Sequence, residues 1–385
     1  MRYILGWIGM LAQGLGMRQG GKSPMNVRER YLRTLTFQSV DRVPLIEWGV
    51  RGATMRRWIA EGYPENVPTQ EFFSLDSSTL EAPIELGMYP KFQEEILSIQ
   101  GDYKIWRDEL GAVRKDFLRT ENPGFVTRSW LSFAVSNRDD FLRMQQRYQS
   151  GQRERYAPDF EKRAHILNEG VVPVHLTVPF LFWTARDWVG FENLCLMFYD
   201  DPALIEEMFD FLTTFIIDTL RPVIDSITLD VVELKEDMAY KHAPMISPAM
   251  FRKFMYPHYV RLITFLKSQG AKLVYVDCDG YPGNELTALW LDAGVDAVSP
   301  CEIAAGNDLI QLRKDFPRLG MYGGIDKRAL AAGKEAIDRE VLSKVPWLLE
   351  RGGYIPHIDH AIPHDVPLEN YLYYRKLLTK IVYGG

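Results

Sequence analysis

Eight short runs of β-branched and aromatic residues recur along the chain, and most are separated by stretches with helical spacing. The runs are "RVPLIEW" (42–48), "TLEAPIEL" (79–86), "VVPVHLTV" (171–178), "LDVVELKED" (229–237), "KLVYVDCD" (272–279), "DAVSPCE" (296–302), "RLGMYGGID" (318–326) and "GGYIPHIDH" (352–360). Near-continuous apolar runs of this kind read as strands covered on both faces, the condition of a parallel sheet flanked by helices. Helical spacing over 202–223, 247–269, 284–293, 306–315 and 334–351 supplies the crossovers. Eight strands alternating with helices predict an α/β fold, a closed (β/α)8 TIM barrel. A dinucleotide-binding fold is disfavoured, because no G-x-G-x-x-G follows the first run.

Two stretches stand outside this rhythm. Residues from about 89 to 160 hold "YKIWRDELGAVRKDF", two alternating runs about Leu110-Gly111 that read as an antiparallel hairpin, followed by a polar helical stretch. They are expected to form an insertion on the barrel's rim. The opening "MRYILGWIGMLAQGLGM" is short for a membrane span, is interrupted by Gln13 and glycines, and lacks an A-x-A cleavage site. Residues 1–24 are therefore expected to be an N-terminal extension, and residues 25–385 the barrel.

Charge and cysteine usage narrow the function classes. Lys+Arg 45 against Asp+Glu 51 gives a net charge of -6, with no basic block that could track a phosphate backbone. Nucleic acid is not an expected partner. Three cysteines, Cys195, Cys278 and Cys301, are too few and too odd for a disulfide framework in a chain of 385 residues, which suits a cytoplasmic protein.

In a barrel of this type, chemistry sits at the C-terminal ends of the strands. The expected fourth strand ends in Glu236 and Asp237, the fifth in Asp277, Cys278 and Asp279, the sixth in Cys301 and Glu302, the seventh in Asp326, and the eighth in His357, Asp359 and His360. Residues i and i+2 on a strand share a face, so Asp277 and Asp279 point together and Cys278 points away. Each has a plainer reading: an Asp at a strand-to-helix loop often caps the helix, and a lone Cys is more often a small buried hydrophobe. Convergence on one barrel mouth is the argument for a site, with Glu47, Trp48, Cys278, Asp326 and His357 as candidate substrate contacts.

Taken together, "RTLTFQSVDRVP", "ELKEDMAYKHAPMISPAMFRKFMYPHY", "VYVDCDG", "LWLDAGVDAVSPCEIAAGNDLIQLRKDFP", "GGIDKRAL" and "GGYIPHIDHAIPHDVPLENYLYY" resemble the uroporphyrinogen decarboxylase superfamily, which includes cobalamin-dependent methyltransferases. The resemblance runs from Met25 to the end and implies a TIM barrel. Decarboxylases of the superfamily share M-R-Q-A-G-R after the first strand; here "LIEWGVRGATMRR" places Glu47 and Trp48 where that signature begins. The methyltransferase branch is similar elsewhere, in a His-x-Cys pair and a distant Cys that hold zinc. Laid on that pattern, Asp277 takes the His position, Asp279 the Cys position, and His360 the distant Cys.

The resemblance implies a methyltransferase component that moves a methyl group between a methyl ether or methylated amine and a corrinoid carried by a partner protein. No D-x-H-x-x-G cobalamin segment occurs in this chain, so cobalamin would arrive with the partner. The leaving oxygen or nitrogen must be coordinated or protonated. Zinc on Asp277, Asp279 and His360, with Glu302 or Glu236 completing the shell, would do the first; Asp237, Tyr240 or His242 would do the second. Decarboxylation of uroporphyrinogen or another acid, and a non-catalytic barrel that only binds a corrinoid or tetrapyrrole, stay as alternatives. The superfamily resemblance also suggests a homodimer.

Overall fold

The computed structural model describes residues 25–118 and 129–384, so the expected extension over residues 1–24 lies outside the described residues. The strands among them are β1 (Leu80–Glu81), β2 (Glu95–Gln100), β3 (Tyr103–Arg107), β4 (Val113–Phe117), β5 (Ser129–Ser132), β6 (Val174–Pro179), β7 (Val231–Lys235), β8 (Leu273–Asp277), β9 (Ala297–Ser299), β10 (Gly320–Ile325) and β11 (Tyr354–Ile358). Seven of them form one parallel sheet in the order β1-β6-β7-β8-β9-β10-β11. No described helix is long and apolar enough to cross a membrane.

The sheet curls, and its concave face explains why. Ile46, Val231, Leu273, Tyr275, Ala297, Tyr322 and Ile355 bury their side chains in one inner cluster, joined from below by Tyr31 and Leu35 of the helix Val27–Leu35. Side chains from five successive strands and from the segment before β1 can meet only if the sheet wraps around them. The convex face packs against the helices in a second, larger core. One layer of that core is the helix Pro202–Leu220, started by Asp201, whose carboxylate accepts from the Leu204 N–H, with Pro202 at its first position.

Six expected strands appear as ladders of three residues or more, one is cut short and one is absent. The run 79–86 is reduced to the two residues of β1, because Pro83 has no N–H to continue a ladder and Ile84 turns to bridge Tyr156 in the antiparallel sense. The run 42–48 makes no ladder at all. Pro44 interrupts it, Asp76 accepts from the Leu45 N–H at 2.8 Å, and only Val50 makes a parallel bridge, to Ile362. The segment is instead tied to β11 through the Glu47 carboxylate, which accepts from the Ile358 N–H at 3.1 Å and the Tyr374 hydroxyl at 2.8 Å. Glu47 also pairs with Arg375 at 3.1 Å, and both side chains are buried.

The expected hairpin about Leu110-Gly111 is present as β3 and β4, and β2 and β5 extend it into a separate antiparallel sheet, β2-β3-β4-β5. Asp108 accepts from the N–H groups of Leu110 and Ala112, which fixes the turn, and Gly111 supplies the left-handed backbone.

Glu47 therefore serves the fold rather than a substrate. Burial raises its pKa against the opposing pull of Arg375, so removing the arginine leaves a costly charge. Arg375→Met should lower the unfolding free energy by about 3–5 kcal/mol, read as a fall in denaturant midpoint at neutral pH.

Candidate active site

The C-terminal ends of β7 to β11 gather most of the ionisable side chains expected there. β7 and β8 lie in register with Glu233 beside Tyr275 and Lys235 beside Asp277, so these four side chains share the concave face. Just past β7, Asp237 takes a left-handed backbone (φ 43°), which Asp tolerates better than most residues, and its Oδ1 accepts from the Asp279 N–H at 3.0 Å. One aspartate thus shapes the turn that presents the next. Gly280 completes the fit: a Cβ there would come within 2.8 Å of the Ala239 and Tyr240 carbonyl groups, so only glycine lets the two loops touch.

Asp279 and His360 come together as expected, with His360 Nε2 at 3.7 Å from Asp279 Oδ2. His360 Nδ1 accepts from the Ala361 N–H at 2.6 Å and lies 3.3 Å from an Arg51 nitrogen, a permanent donor. The neutral ring therefore carries its proton on Nε2, facing Asp279. Burial, with Arg51 and Lys327 nearby, lowers the His360 pKa and keeps the ring neutral. Burial, then the charges of Asp237 and Glu302, push the Asp279 carboxyl up to about 7. Asp277 is raised well above the ordinary range by burial and then by Glu233, Asp237 and Asp279.

Positive charge reaches this cluster from two lysines, Lys327 and Lys235. Lys327 Nζ lies 2.7 Å from Glu302 Oε1 and 3.5 Å from Asp359 Oδ1. The buried Asp359 also accepts from the Ile303 and Lys327 N–H groups, and Glu302 Oε2 accepts from the Gly280 N–H. Lys235 stands over the Trp183 ring at 4.3 Å and opposes the rise at Asp277. Deeper on the concave face, His175 bridges two carboxylates: Nδ1 to Glu81 at 2.8 Å and Nε2 to Glu233 at 3.1 Å. Tyr275 donates to the same Glu233 oxygen at 2.5 Å. Burial alone would lower the His175 pKa, yet Glu233 and Glu81 lift it to about 9, so it is an imidazolium.

Several expected site residues stand elsewhere. Glu236 is fully buried on the convex side; it accepts from the Phe182 and Trp183 N–H groups at the start of the helix Leu181–Val189, and from the Tyr259 hydroxyl. A carboxylate at a helix N-terminus is a structural anchor, and Glu236 leaves the expected metal shell. Asp326 caps the helix Lys327–Ala332 and pairs with Arg328. Cys278 is buried in the outer core, pointing away from the acids. Tyr240 is 52% exposed, and His242, also exposed, meets it edge-on outside the acid cluster. Trp48 does lie at the mouth, stacked on His357 and edge-on to His360. His357 is fully buried, and burial drives its pKa down to about 3.

The expected zinc shell fails on the donor set. Among the described residues no three His, Cys, Asp or Glu side chains stand close enough to hold a metal ion. Glu302 is engaged by Lys327, Glu236 is on the far side of the sheet, and Asp279 with His360 makes only a pair. These residues do not fit zinc.

A carboxyl whose folded pKa lies above its unfolded value costs stability as pH rises between the two. For Asp279 that window runs from near 4 to about 7. Because this side chain is 40% exposed, water screens much of the effect. Asp279→Asn should therefore stabilise the protein at pH 8 relative to its effect at pH 4 by on the order of 1 kcal/mol, measured by urea unfolding at the two pH values.

Comparison with known proteins agrees with this architecture. The family model described as uroporphyrinogen decarboxylase (URO-D) matches residues 181–380. A curated uroporphyrinogen decarboxylase from Nocardia farcinica (strain IFM 10152) is 27% identical over 179 residues, 45% of this chain and 48% of that protein, so the match spans about half of the relative's length. A solved structure described as a methyltransferase from Methanosarcina mazei superposes with a TM-score of 0.59 at 15% identity, covering 92% of this chain and 99% of that one. That likeness is one of fold.

Proposed function

Because the chain belongs to the uroporphyrinogen decarboxylase family, we propose that it is an enzyme of the methyltransferase type, taking a methyl group from a small methylated amine. We read the curled sheet as a (β/α)8 barrel whose first strand is the irregular segment 43–50, and the antiparallel sheet as an insertion on its rim. The methyl acceptor would be a corrinoid on a partner protein, a co-substrate whose cobalt(I) supplies the nucleophile. Three free cysteines suit a cytoplasmic setting.

The observation that carries the reading is the Asp279 carboxyl, with a pKa of about 7, beside the neutral His360. A methylated amine leaves as a neutral amine only if its nitrogen is cationic when the C–N bond breaks, the electron pair staying on nitrogen. A methylammonium brings that charge with it, and a carboxyl poised near neutrality ionises as it binds, giving its proton to solvent and holding the cation as a carboxylate. His360 Nε2–H orients Asp279. Charge favours the same donor class: Glu81, Glu233, Asp237, Glu302 and Asp359 face four cationic groups (Arg51, His175, Lys235, Lys327), and the Asp277 and Asp279 carboxyls add negative charge when a cation lets them ionise. The excess is negative and suits a cation.

The family and the Nocardia relative also favour decarboxylation. Uroporphyrinogen carries several carboxylates, and setting them among these acids costs several kcal/mol for each unpaired ion. The charge balance ranks that reading second.

Purified protein incubated anaerobically with cob(I)alamin and a panel of methylammonium compounds should give the methylcobalamin spectrum, with methoxyaromatics slower. Turnover of uroporphyrinogen with no spectral change from any methyl donor would reverse the ranking. On the active donor, Asp279→Asn should reduce kcat/KM by about 10²–10³-fold, through loss of the carboxylate that holds the ammonium. Wild-type kcat/KM should rise with pH up to about 7, where Asp279 loses its proton and can hold the ammonium. Prolonged dialysis against a chelator should leave the rate unchanged.

A further inference from the structure

Trp48 is held at the mouth by its neighbour in the chain. Glu47 is bound outward, to Tyr374 and Arg375 of the helix Leu368–Val382, and the next side chain turns the other way. The half-buried Trp48 indole stacks on His357 with ring centres 5.7 Å apart and meets His360 edge-on at 5.9 Å. His360 in turn lies 3.7 Å from the Asp279 carboxyl, so a single imidazole separates a tryptophan ring from an acid. Both imidazoles against the indole are neutral, since burial drives His357 down to about 3 and lowers His360. The other tryptophan near the acids, Trp183, already has Lys235 at 4.3 Å and Arg186 at 4.6 Å over its ring. Among the described residues no Lys or Arg stands over the Trp48 ring, so its negative face is unspent beside a carboxyl that ionises for a cation.

The neighbouring acceptors are largely taken. Asp359 accepts from two backbone N–H groups, Glu302 from Lys327 and the Gly280 N–H, and one oxygen of Asp237 from the Asp279 N–H. A primary ammonium entering here gives up water on three N–H groups and finds few partners for them. A quaternary ammonium has no N–H to satisfy, and its charge, spread over methyl groups, is matched by one carboxylate and the face of an indole.

We infer that Trp48 and Asp279 are the two sides of a quaternary-ammonium subsite, so that the methyl donor is a quaternary methylammonium compound without an acid group, of the tetramethylammonium or choline class. The inference rests on reading this mouth as a methylammonium site. Cobalt(I) of the corrinoid supplies the electron pair of the new Co–C bond, the C–N pair stays on nitrogen, and a neutral tertiary amine leaves with no proton required. A donor with its own carboxylate is disfavoured, because that charge would enter a mouth already negative.

Isothermal titration calorimetry of the full chain without cobalamin, at pH 8, reads binding apart from methyl transfer. Tetramethylammonium should bind about tenfold tighter than methylammonium. Choline should bind tighter, by a similar factor, than glycine betaine and than its uncharged isostere 3,3-dimethylbutanol. Trp48→Leu should remove the preference for tetramethylammonium, and Trp48→Phe, which keeps a ring on His357, should retain part of it, both with the thermal melt preserved. Equal affinity for tetramethylammonium and methylammonium, or a preference that survives Trp48→Leu, would overturn the inference. Trp48-dependent binding of tetramethylammonium with no methylcobalamin formed on adding cob(I)alamin would uphold the subsite and defeat the methyltransferase reading. Methylcobalamin formed from methylammonium at a rate indifferent to Trp48→Leu would uphold that reading and defeat the subsite.

Discussion

Carboxylates brought to one end of a sheet repel one another, and the arrangement at the ends of β7 to β11 is the set of means by which that repulsion is contained. Two lie in strong contacts with fixed donors: Asp359 with two backbone N–H groups, and Glu302 with the Lys327 ammonium. Glu233 is held by His175 and Tyr275 below its ordinary range despite burial. Asp237 spends one oxygen on the Asp279 N–H. What remains falls on Asp277 and Asp279, and burial raises Asp359 as well despite its partners, so these carboxyls keep their protons to higher pH. The unusual acid is thus the residue of a balance in which every neighbour already has a partner.

That balance depends on geometry set far from the acids. Asp237 can reach Asp279 only because its backbone is left-handed, a conformation costing on the order of 1–3 kcal/mol, which the surrounding core must absorb. On the other side, Trp48 and Arg51 are carried to the mouth by a segment with no ladder of its own, pinned to β11 by Glu47 and to the loop before β1 by Asp76. Side-chain carboxylates replace the missing backbone ladder around Pro44. The same residue type therefore does structural work below the mouth and, in our proposal, chemical work at it, separated by whether a cation is at hand.

How much of this the chain discloses follows from what each feature depends on. Six parallel strands and the hairpin were legible, because burial on both faces and a turn glycine leave local patterns. The pairing of Asp279 with His360 was legible too, since a period-2 argument and barrel convergence suffice for it. The same argument, applied to 233 and 235, would have found Glu233 and Lys235. Glu236 follows Lys235 directly, so period 2 sends it to the opposite face, which its position at the end of the strand does not disclose. Lys327 and His175 carry no local signal; what they do depends on partners such as Glu302 and Glu81, which lie 25 and 94 residues away.

The chemistry left open by a shared fold is decided by charge rather than by the barrel. A barrel of this family can in principle be lined to receive either a polyanion or a cation, and the two demands are opposite in sign. A polyanion needs bidentate cations in fixed positions; here the cations nearest the acids are two lysines and the His175 imidazolium, each already opposed by carboxylates, and Arg51 against His360. A cation needs carboxylates that can be ionised in its presence though protonated in its absence. Asp279 is such a group: an arriving ammonium offsets the repulsion that raised its pKa, so the carboxyl ionises as the ligand binds and returns to its proton as the ligand leaves. Binding and proton transfer at this site are then one linked event, and the net negative charge of the mouth is what links them.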